Sequence, residues 1–414
     1  MRAVGVKLFH SPFNYKKNTT LMSHSFNLAA MQAALREQRC AGWLFADHHH
    51  RDAIAGRLLG LPPGRMATRR WFYLVPAEGA PRKLIHRIEA GQLEELPGEA
   101  TLYSSWRDME SGLRQMLTGL RRVAMQYSPR NALPALSVVD GGMLELVRET
   151  GAEVISSADL VAQLEAVWTP EQLASHRQAG KVIDRVITAA FRRIRQALDA
   201  EEKLSEYDLQ QWMIERMAAE GVTAEEPPIV AINSHAGDPH YAPSAKGAAR
   251  FQNGDLVLLD VWGKCQDARA VYYDVTWMGA ATRRPLLKIA RAFTRVRAAR
   301  DAAFALIQGR MRAGEAARGW EADRAARQVM EEADVAGHFT HRTGHSIGTS
   351  VHGYGPNLDS LETHDIRRLR PGHGFSIEPG LYYASFGIRL EVNVYLHERD
   401  AEITGPIQNE LITI

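Results

Sequence analysis

The stretch Leu256-Val257-Leu258-Leu259-Asp260 is an apolar run that ends on an acid, and Val271-Tyr272-Tyr273-Asp274-Val275-Thr276-Trp277 follows it closely. The first stretch predicts a buried strand that carries Asp260 at its end. Alternate residues of the second stretch are apolar, which predicts another strand with Asp274 on the opposite face. A turn-like connection joins the two stretches. We therefore expect a hairpin that sets the two aspartates side by side.

Two later segments repeat this alternation. In Phe375–Ile377 the apolar residues share one face, so that Glu378 points the other way. Residues 388–396 read as one strand, with Arg389 and Glu391 on the face opposite the apolar residues. An ionised carboxylate in an apolar strand costs free energy if it is buried without a partner. Four converging carboxylates therefore need compensating positive charge.

Two divalent cations would supply four positive charges, whereas a single arginine supplies one. A carboxylate-rich set with one imidazole suits Mn²⁺, Co²⁺ or Zn²⁺ and differs from the thiolate set of a structural zinc site. His345, in the glycine-containing stretch Gly344–Gly348, is the candidate nitrogen ligand. Each residue alone also has an ordinary interpretation. An acid on a strand is commonly solvated, and a histidine beside glycine commonly bonds within its loop.

The bulk composition excludes several classes of partner. Fifty Lys and Arg residues nearly balance 48 Asp and Glu residues, which gives no reason to expect nucleic acid or a membrane surface as a partner. The two cysteines, Cys40 and Cys265, match no metal-ligand spacing and favour a reduced, cytoplasmic setting. No apolar run approaches the ~20 residues of a membrane-spanning helix. Residues 1–21 lack the apolar core of a signal peptide and are a candidate disordered extension.

The chain divides into two predicted domains of α/β character. Residues 22–165 alternate strands with helical segments, as in a layered sheet. Thr169-Pro170-Glu171-Gln172 has the pattern of a helix start, so the second domain is assigned to residues 166–414. The helix that begins there is expected to reach about Leu198, and a second helix to run from Ser205 to Gly221. Beyond it we expect the chain to be rich in strands up to its end.

Five short segments carry a further pattern. They are Leu259-Asp260, Tyr273-Asp274-Val275-Thr276, His341-Arg342-Thr343-Gly344-His345-Ser346-Ile347-Gly348, Ser376-Ile377-Glu378-Pro379-Gly380 and Gly387-Ile388-Arg389-Leu390-Glu391. In this order they resemble the ligand motifs of the pita-bread metallopeptidases, which include methionine aminopeptidase, aminopeptidase P and prolidase, with creatinase as a non-metal relative. The resemblance implies a creatinase-like N-terminal domain and a pita-bread catalytic domain. It also implies five metal ligands, namely Asp260, Asp274, His345, Glu378 and Glu391.

Further site residues follow from the same resemblance. His240 and the adjacent Tyr241 match the substrate side of the proline-specific members, and His352 matches the histidine that contacts the scissile carbonyl. Glu378 would also move a proton during catalysis, and Arg389 would orient Glu391. The sequence departs from the family in three places near the pocket. The interval between the aspartates is three residues longer, Gly353 replaces an acid, and Val-Asn-Val follows Glu391.

The resemblance implies hydrolysis of the Xaa-Pro bond in dipeptides or short proline-containing peptides, by a hydroxide that bridges two divalent ions. Mn²⁺ is the first expectation for the metal, with Co²⁺ or Zn²⁺ as alternatives. An Xaa-Pro dipeptidase is the leading interpretation. An aminopeptidase P-type enzyme, a small-metabolite hydrolase or lyase on the same fold, and an inactive binding module stay open. A homodimer is expected from the family alone.

Overall fold

The computed structural model describes residues 26–62 and 64–414. The predicted extension at residues 1–21 and the expected domain start at residue 22 lie outside these ranges. Within them, helices alternate with strands, and the strands form four sheets. The predicted α/β class is therefore confirmed. None of the helices in these ranges combines the length and the hydropathy that crossing a bilayer requires.

The first six strands form one mixed sheet. They are β1 (Gly42–Asp47), β2 (Trp71–Pro76), β3 (Arg82–His86), β4 (Glu99–Tyr103), β5 (Arg122–Met125) and β6 (Glu153–Ser156). Their order in the sheet is β4-β3-β2-β1-β5-β6, and every residue of β2 is buried. The alternation of strands with helical segments that was expected in this part of the chain is confirmed.

Helices cover both faces of this sheet. They are α1 (Leu28–Glu37), α2 (Ala53–Leu58), α3 (Trp106–Leu117), α4 (Gly141–Glu149) and α5 (Ala158–Glu165). One apolar cluster joins α1, α2 and α5 to residues such as Trp43 and Trp71. A second cluster joins α3 and α4 to residues such as Leu44 and Phe72. Because successive strand residues point to opposite faces, a strand covered on both sides is apolar throughout.

Two helices begin the second half of the chain where the sequence predicts. In α6 (Pro170–Asp199) the Thr169 side chain accepts from the Gln172 amide, and the Gln172 side chain accepts from the Thr169 amide. Ser205 and Asp208 make the same reciprocal pair at the start of α7 (Glu206–Ala219). These bonds satisfy amide groups that a helix leaves unpaired at its N-terminus, which is why both starts were readable.

The remaining strands bear the acidic residues. They are β7 (Val222–Thr223), β8 (Ile229–Ile232), β9 (Leu256–Cys265), β10 (Tyr273–Ala280), β11 (Gly374–Ile377), β12 (Gly380–Tyr383), β13 (Phe386–Arg389), β14 (Val392–Leu396), β15 (Ala401–Ile403) and β16 (Ile412–Thr413). Strands β16, β10, β9 and β7 lie in this order, and β8 also pairs with β9. Strands β11, β14 and β15 form a second sheet, and β12 pairs with β13 in a third.

The predicted hairpin is formed by β9 and β10, which are antiparallel. Asp260 is opposite Thr276, and Trp262 is opposite Asp274. Since residues 260 and 262 point to the same side of β9, both aspartates lie on one face of the hairpin. The prediction that the first strand ends at Asp260 was wrong, because the strand continues to Cys265.

The second half differs from the expectations in two places. The chain beyond Gly221 is rich in strands, as expected, but it also contains two long helices that were not expected, α8 (Leu287–Arg312) and α9 (Gly319–Glu332). Both are rich in Ala and Arg, which are strong helix formers. Residues 388–396 are not one strand either. Leu390 and Glu391 connect β13 to β14, which belong to different sheets, and burial on both faces hides this break from the sequence pattern.

Candidate metal centre

Three predicted ligands meet directly in the interior. Asp274 in β10, His345 in the loop after α9 and Glu391 between β13 and β14 each offer an atom within 4.8 Å of the others, and all three are buried. His345 Nε2 lies 3.4 Å from Asp274 Oδ2 and 3.4 Å from Glu378 Oε1, at the end of β11. Residues separated by more than 100 positions thus form one cluster.

Asp260 interacts with the residues of this cluster and with Arg389 beside it. Its carboxylate interacts electrostatically with Asp274 and Glu378, and it accepts a hydrogen bond from Arg389. Asp260 Oδ1 and Glu391 Oε1 are both buried and have no hydrogen-bond partner in the described part of the chain. Leaving such atoms unpaired in the interior is costly. Divalent cations would satisfy them, and a set of carboxylates with one imidazole fits Mn²⁺, Co²⁺ or Zn²⁺.

The acidic side chains have strongly shifted pKa values. Burial, together with the neighbouring carboxylates, raises the pKa of all three of Asp260, Asp274 and Glu391. The pKa of Asp274 rises to about 7, and that of Glu391 rises well above its usual value. Burial also acts on Glu378, but the charges of His345 and other neighbouring cations outweigh it, and the pKa of Glu378 is lowered. The chain alone therefore does not supply enough positive charge to keep every carboxylate ionised at low cost.

Arg389 connects two of the acidic residues. Its guanidinium donates to Asp260 Oδ2, to Thr276 Oγ1 at 3.1 Å and to the Tyr382 hydroxyl at 2.9 Å. The Thr276 hydroxyl donates in turn to Glu391 Oε2 at 2.9 Å. The sequence analysis expected Arg389 to orient Glu391. In the structure the direct bond is to Asp260, and the link to Glu391 passes through Thr276.

Helix α9 holds the loop that carries His345. Asp323 Oδ1 accepts from the amide and the hydroxyl of Thr343, at 2.9 and 2.6 Å. Arg327, one turn further along the helix, pairs with Asp323 and donates to the carbonyls of Phe339 and His341. This buried pair therefore holds the backbone of residues 339–343, which leads directly into His345.

The two other predicted histidines lie at different depths. The His352 ring lies 4.4 Å from the His345 ring and nearly perpendicular to it. The charge of His345, with burial, lowers the pKa of His352 to about 4. His240 is exposed, and its charge also contributes to the lowered pKa of His352. The hydroxyl of Tyr241 donates to Glu206 at 2.6 Å. The roles assigned to these residues stay predictions.

Several polar residues around the centre were not selected from the sequence. Thr276 shares a strand face with Asp274, so the alternation of β10 contained a signal for it. Tyr382 bonds both Arg389 and His341, and Asp323 and Glu206 are fully buried acids on helices. Nothing in the local pattern of α7 or α9 distinguishes these acids from solvent-exposed ones, because their partners come from distant segments.

A buried set of carboxylates and one imidazole, built on an α/β fold, defines a metal-dependent hydrolase. The chain belongs to metallopeptidase family M24, whose model matches residues 174–398. The matched range contains all five predicted ligands. The family resemblance inferred from the sequence is thereby confirmed, and the chain is a metallopeptidase.

Individual relatives extend this assignment. The chain is 30% identical to "Probable dipeptidase PepE" of Mycobacterium tuberculosis over 346 residues, which cover 82% of this chain and 84% of the relative. It is 27% identical to the Xaa-Pro dipeptidase of Lactobacillus delbrueckii subsp. lactis over 235 residues, 56% of this chain and 58% of the relative. The crystal structure of dipeptidase PepE from Mycobacterium ulcerans matches with a TM-score of 0.65 and 26% identity, covering 93% of this chain and 96% of that one.

Proposed function

We propose that this metallopeptidase is an Xaa-Pro dipeptidase, which hydrolyses the bond before proline in dipeptides or short peptides. The observation that carries the proposal is the buried meeting of Asp274, His345 and Glu391, with Glu378 beside His345. The relatives named dipeptidase and Xaa-Pro dipeptidase support the substrate class. Domain limits at residues 22–165 and 166–414, a homodimer and a cytoplasmic location belong to the same proposal.

Two divalent ions, Mn²⁺ first and Co²⁺ or Zn²⁺ otherwise, fit the donor set. Asp260, Asp274, His345, Glu378 and Glu391 would hold these ions. When bound, such a pair supplies a water that is activated near neutral pH and a Lewis acid that polarises the scissile carbonyl. The unpaired Asp260 Oδ1 and Glu391 Oε1 are consistent with this arrangement.

The chain's own side chains supply the proton transfers and the positioning. Glu378, ionised because nearby cations lower its pKa, accepts a proton from the attacking water and passes it towards the leaving nitrogen. His352, beside the centre, donates to the oxygen on which charge develops. Arg389 and Thr276 fix the orientation of Asp260 and Glu391. His240, which is exposed and interacts electrostatically with His352, contacts the substrate.

The test is a substrate screen with protein that has been stripped of metal and reloaded with Mn²⁺, Co²⁺ or Zn²⁺. Xaa-Pro dipeptides, Xaa-Pro-Yaa tripeptides and dipeptides without proline are compared at equal concentrations. The proposal expects turnover of Xaa-Pro dipeptides that requires metal. Faster turnover of the tripeptides would instead identify an aminopeptidase P-type enzyme.

Two other results would contradict the proposal. Equal turnover of dipeptides with and without proline would remove the proline specificity. No turnover of any peptide by metal-loaded protein would favour a small-metabolite hydrolase or lyase on the same fold. The metal content of each sample is measured alongside, so that inactive protein is not mistaken for unloaded protein.

A further inference from the structure

Glu206 is a fully buried carboxylate at the first position of α7. It accepts hydrogen bonds from the amides of Ile232 and Ala249, each at 2.8 Å. It also accepts from His235 Nδ1 at 2.9 Å and from the Tyr241 hydroxyl at 2.6 Å. All four donors come from one continuous segment that lies more than 20 residues further along the chain. A single carboxylate thus accepts hydrogen bonds from both ends and from the middle of that segment.

The segment begins at Ile232, the last residue of β8, and continues into the connection between β8 and β9. Residues 233–250 of this connection are here called the 233–250 loop. Within it the rings of His235 and Tyr241 stack, with centroids 4.3 Å apart. Asp238 accepts from the amides of His240 and Tyr241, through its side chain at 3.0 Å and its carbonyl at 3.1 Å. His240 is therefore held in a tight turn whose position depends on Tyr241, and Tyr241 is fixed by Glu206.

The same loop is pressed against the hairpin of β12 and β13. A Cβ atom added to Gly387 would lie 1.7 Å from the carbonyl oxygen of Ala236, and one added to Gly237 would lie 2.3 Å from that of Tyr383. Only glycine permits so close an approach of two backbones. This hairpin also carries Tyr382 and Arg389, and Arg389 bonds Asp260. The loop therefore contacts the hairpin whose Arg389 holds the predicted ligand Asp260.

We propose that Glu206 is a positioning residue that anchors the 233–250 loop, and thereby sets where His240 meets the substrate. The proposal rests on the proposed peptidase function for the identity of the substrate. It is independent of that function for the anchoring itself. Glu206 contributes no atom to the metal centre, so its effect reaches catalysis through substrate binding.

The test compares Tyr241→Phe, which removes one donor, with Glu206→Gln, which replaces one of two accepting oxygens by a donor. Hydrogen exchange of the metal-free variants is measured by mass spectrometry. Both should exchange faster than wild type in peptides covering residues 232–250, with the larger effect in Glu206→Gln. Peptides covering residues 341–348, which α9 holds, should exchange as in wild type.

Steady-state kinetics of the metal-loaded variants on an Xaa-Pro dipeptide provide the second readout. A lost hydrogen bond to a charged group corresponds to a KM at least about 10-fold higher in Tyr241→Phe, with kcat within about twofold of wild type. Metal content should be unchanged. The matched control is Tyr103→Phe, which removes a 2.6 Å bond from a tyrosine hydroxyl to the Arg70 carbonyl in the first sheet.

The outcomes separate the two proposals. If wild type turns over no Xaa-Pro dipeptide, the proposed function fails, and the exchange data alone decide the role of Glu206. Unchanged exchange at residues 232–250 in both variants would overturn the anchoring. A fall in kcat at constant KM, or the same kinetic change in Tyr103→Phe, would show that the loop does not act on substrate binding.

Discussion

Strands β2 and β10 are both buried, yet they carry different residues. All six residues of β2 are apolar or aromatic, and two helical layers cover them. β10 is also buried at all but one of its residues, but it carries Asp274 and Thr276. If packing alone shaped both strands, β10 would resemble β2. The difference shows that β10 keeps a polar face at a cost in stability, which points to a role for Asp274 and Thr276 beyond packing.

Buried acids also occur in the first region, but their surroundings differ. Asp52, which is 4% exposed, accepts from the Ala55 amide at the start of α2. Asp47 accepts from the amides of Arg51 and Asp52. Burial and the charge of Asp47 raise the pKa of Asp52 to about 6. Both acids nevertheless accept hydrogen bonds from backbone amides, whereas several acids of the second region surround one centre. Burial of a carboxylate alone therefore does not identify a site, while several carboxylates around a shared centre do.

The largest expected effect is on catalysis. Glu378→Ala should lower kcat/KM on an Xaa-Pro dipeptide by about 10²- to 10⁴-fold, because it removes the group that moves the proton. Steady-state rates at equal metal content measure this. Glu331→Ala, at an exposed residue of α9 paired with Arg324, is the control and should keep wild-type rates. A Glu378→Ala enzyme within threefold of wild type would contradict the assignment.

A second effect concerns two buried imidazoles, of which His373 lies at the boundary between the two regions. His373 Nε2 contacts the Ala162 carbonyl at 3.1 Å, and His176 Nδ1 contacts that of Tyr272 at 2.6 Å. Burial lowers the pKa of each to about 4. Between pH 6.5 and pH 4 the unfolded chain binds more protons, so the free energy of unfolding falls as the pH falls.

Between pH 7 and pH 5 the magnitude is about 2 kcal/mol for each histidine. Urea unfolding at pH 7 and at pH 5 measures it, and stability should be fully present above pH 6.5. His373→Gln cannot bind the proton, so its stability should change less with pH than that of wild type. An equal change in both proteins would exclude His373 as a source.

A smaller effect should distinguish the acids of the two regions by its sign. Glu391→Gln should raise the unfolding free energy of metal-free protein at pH 8 by at least roughly 1 kcal/mol, because it removes a buried charge whose pKa is strongly raised. The same change should weaken metal retention. Thermal unfolding with a chelator present provides the measurement, and a destabilised variant would contradict the account.

The smallest effect is expected in the first region, with the opposite sign. Asp47→Ala removes the acceptor of the Arg51 and Asp52 amides and should lower the unfolding free energy by about 1 kcal/mol, without changing metal content. Chemical denaturation and metal analysis check both statements. A stabilised Asp47→Ala variant would show that this acid, like those of the second region, is kept at a cost in stability.

The parts of the fold that were predictable have local causes. The helix starts at Thr169 and Ser205 are determined by side chains three residues away, and the hairpin by alternation within β9 and β10. The break between β13 and β14 was not predictable, since both faces are buried and the apolar alternation continues through Leu390. Helices α8 and α9 were missed even though their composition favours helix, so that error lies in the interpretation.

The candidate site divides in the same way. The order of the acids and His345 along the chain predicted the cluster, because the family motifs are short and local. The bonds that hold it were not predictable, as Arg389 reaches Asp260 across 129 positions and Glu206 reaches Ala249 across 43. Which partner a buried side chain chooses depends on the packing of distant segments, and a single sequence does not record that choice.

Metal stoichiometry tests the central claim most directly. Wild-type protein and Asp274→Asn are stripped with a chelator, reloaded with Mn²⁺, desalted and analysed by elemental mass spectrometry. The account predicts two ions per wild-type chain and a clear loss of retained metal in Asp274→Asn, with both proteins folded. A wild-type protein that retains no metal, or an Asp274→Asn variant that retains as much as wild type, would contradict it.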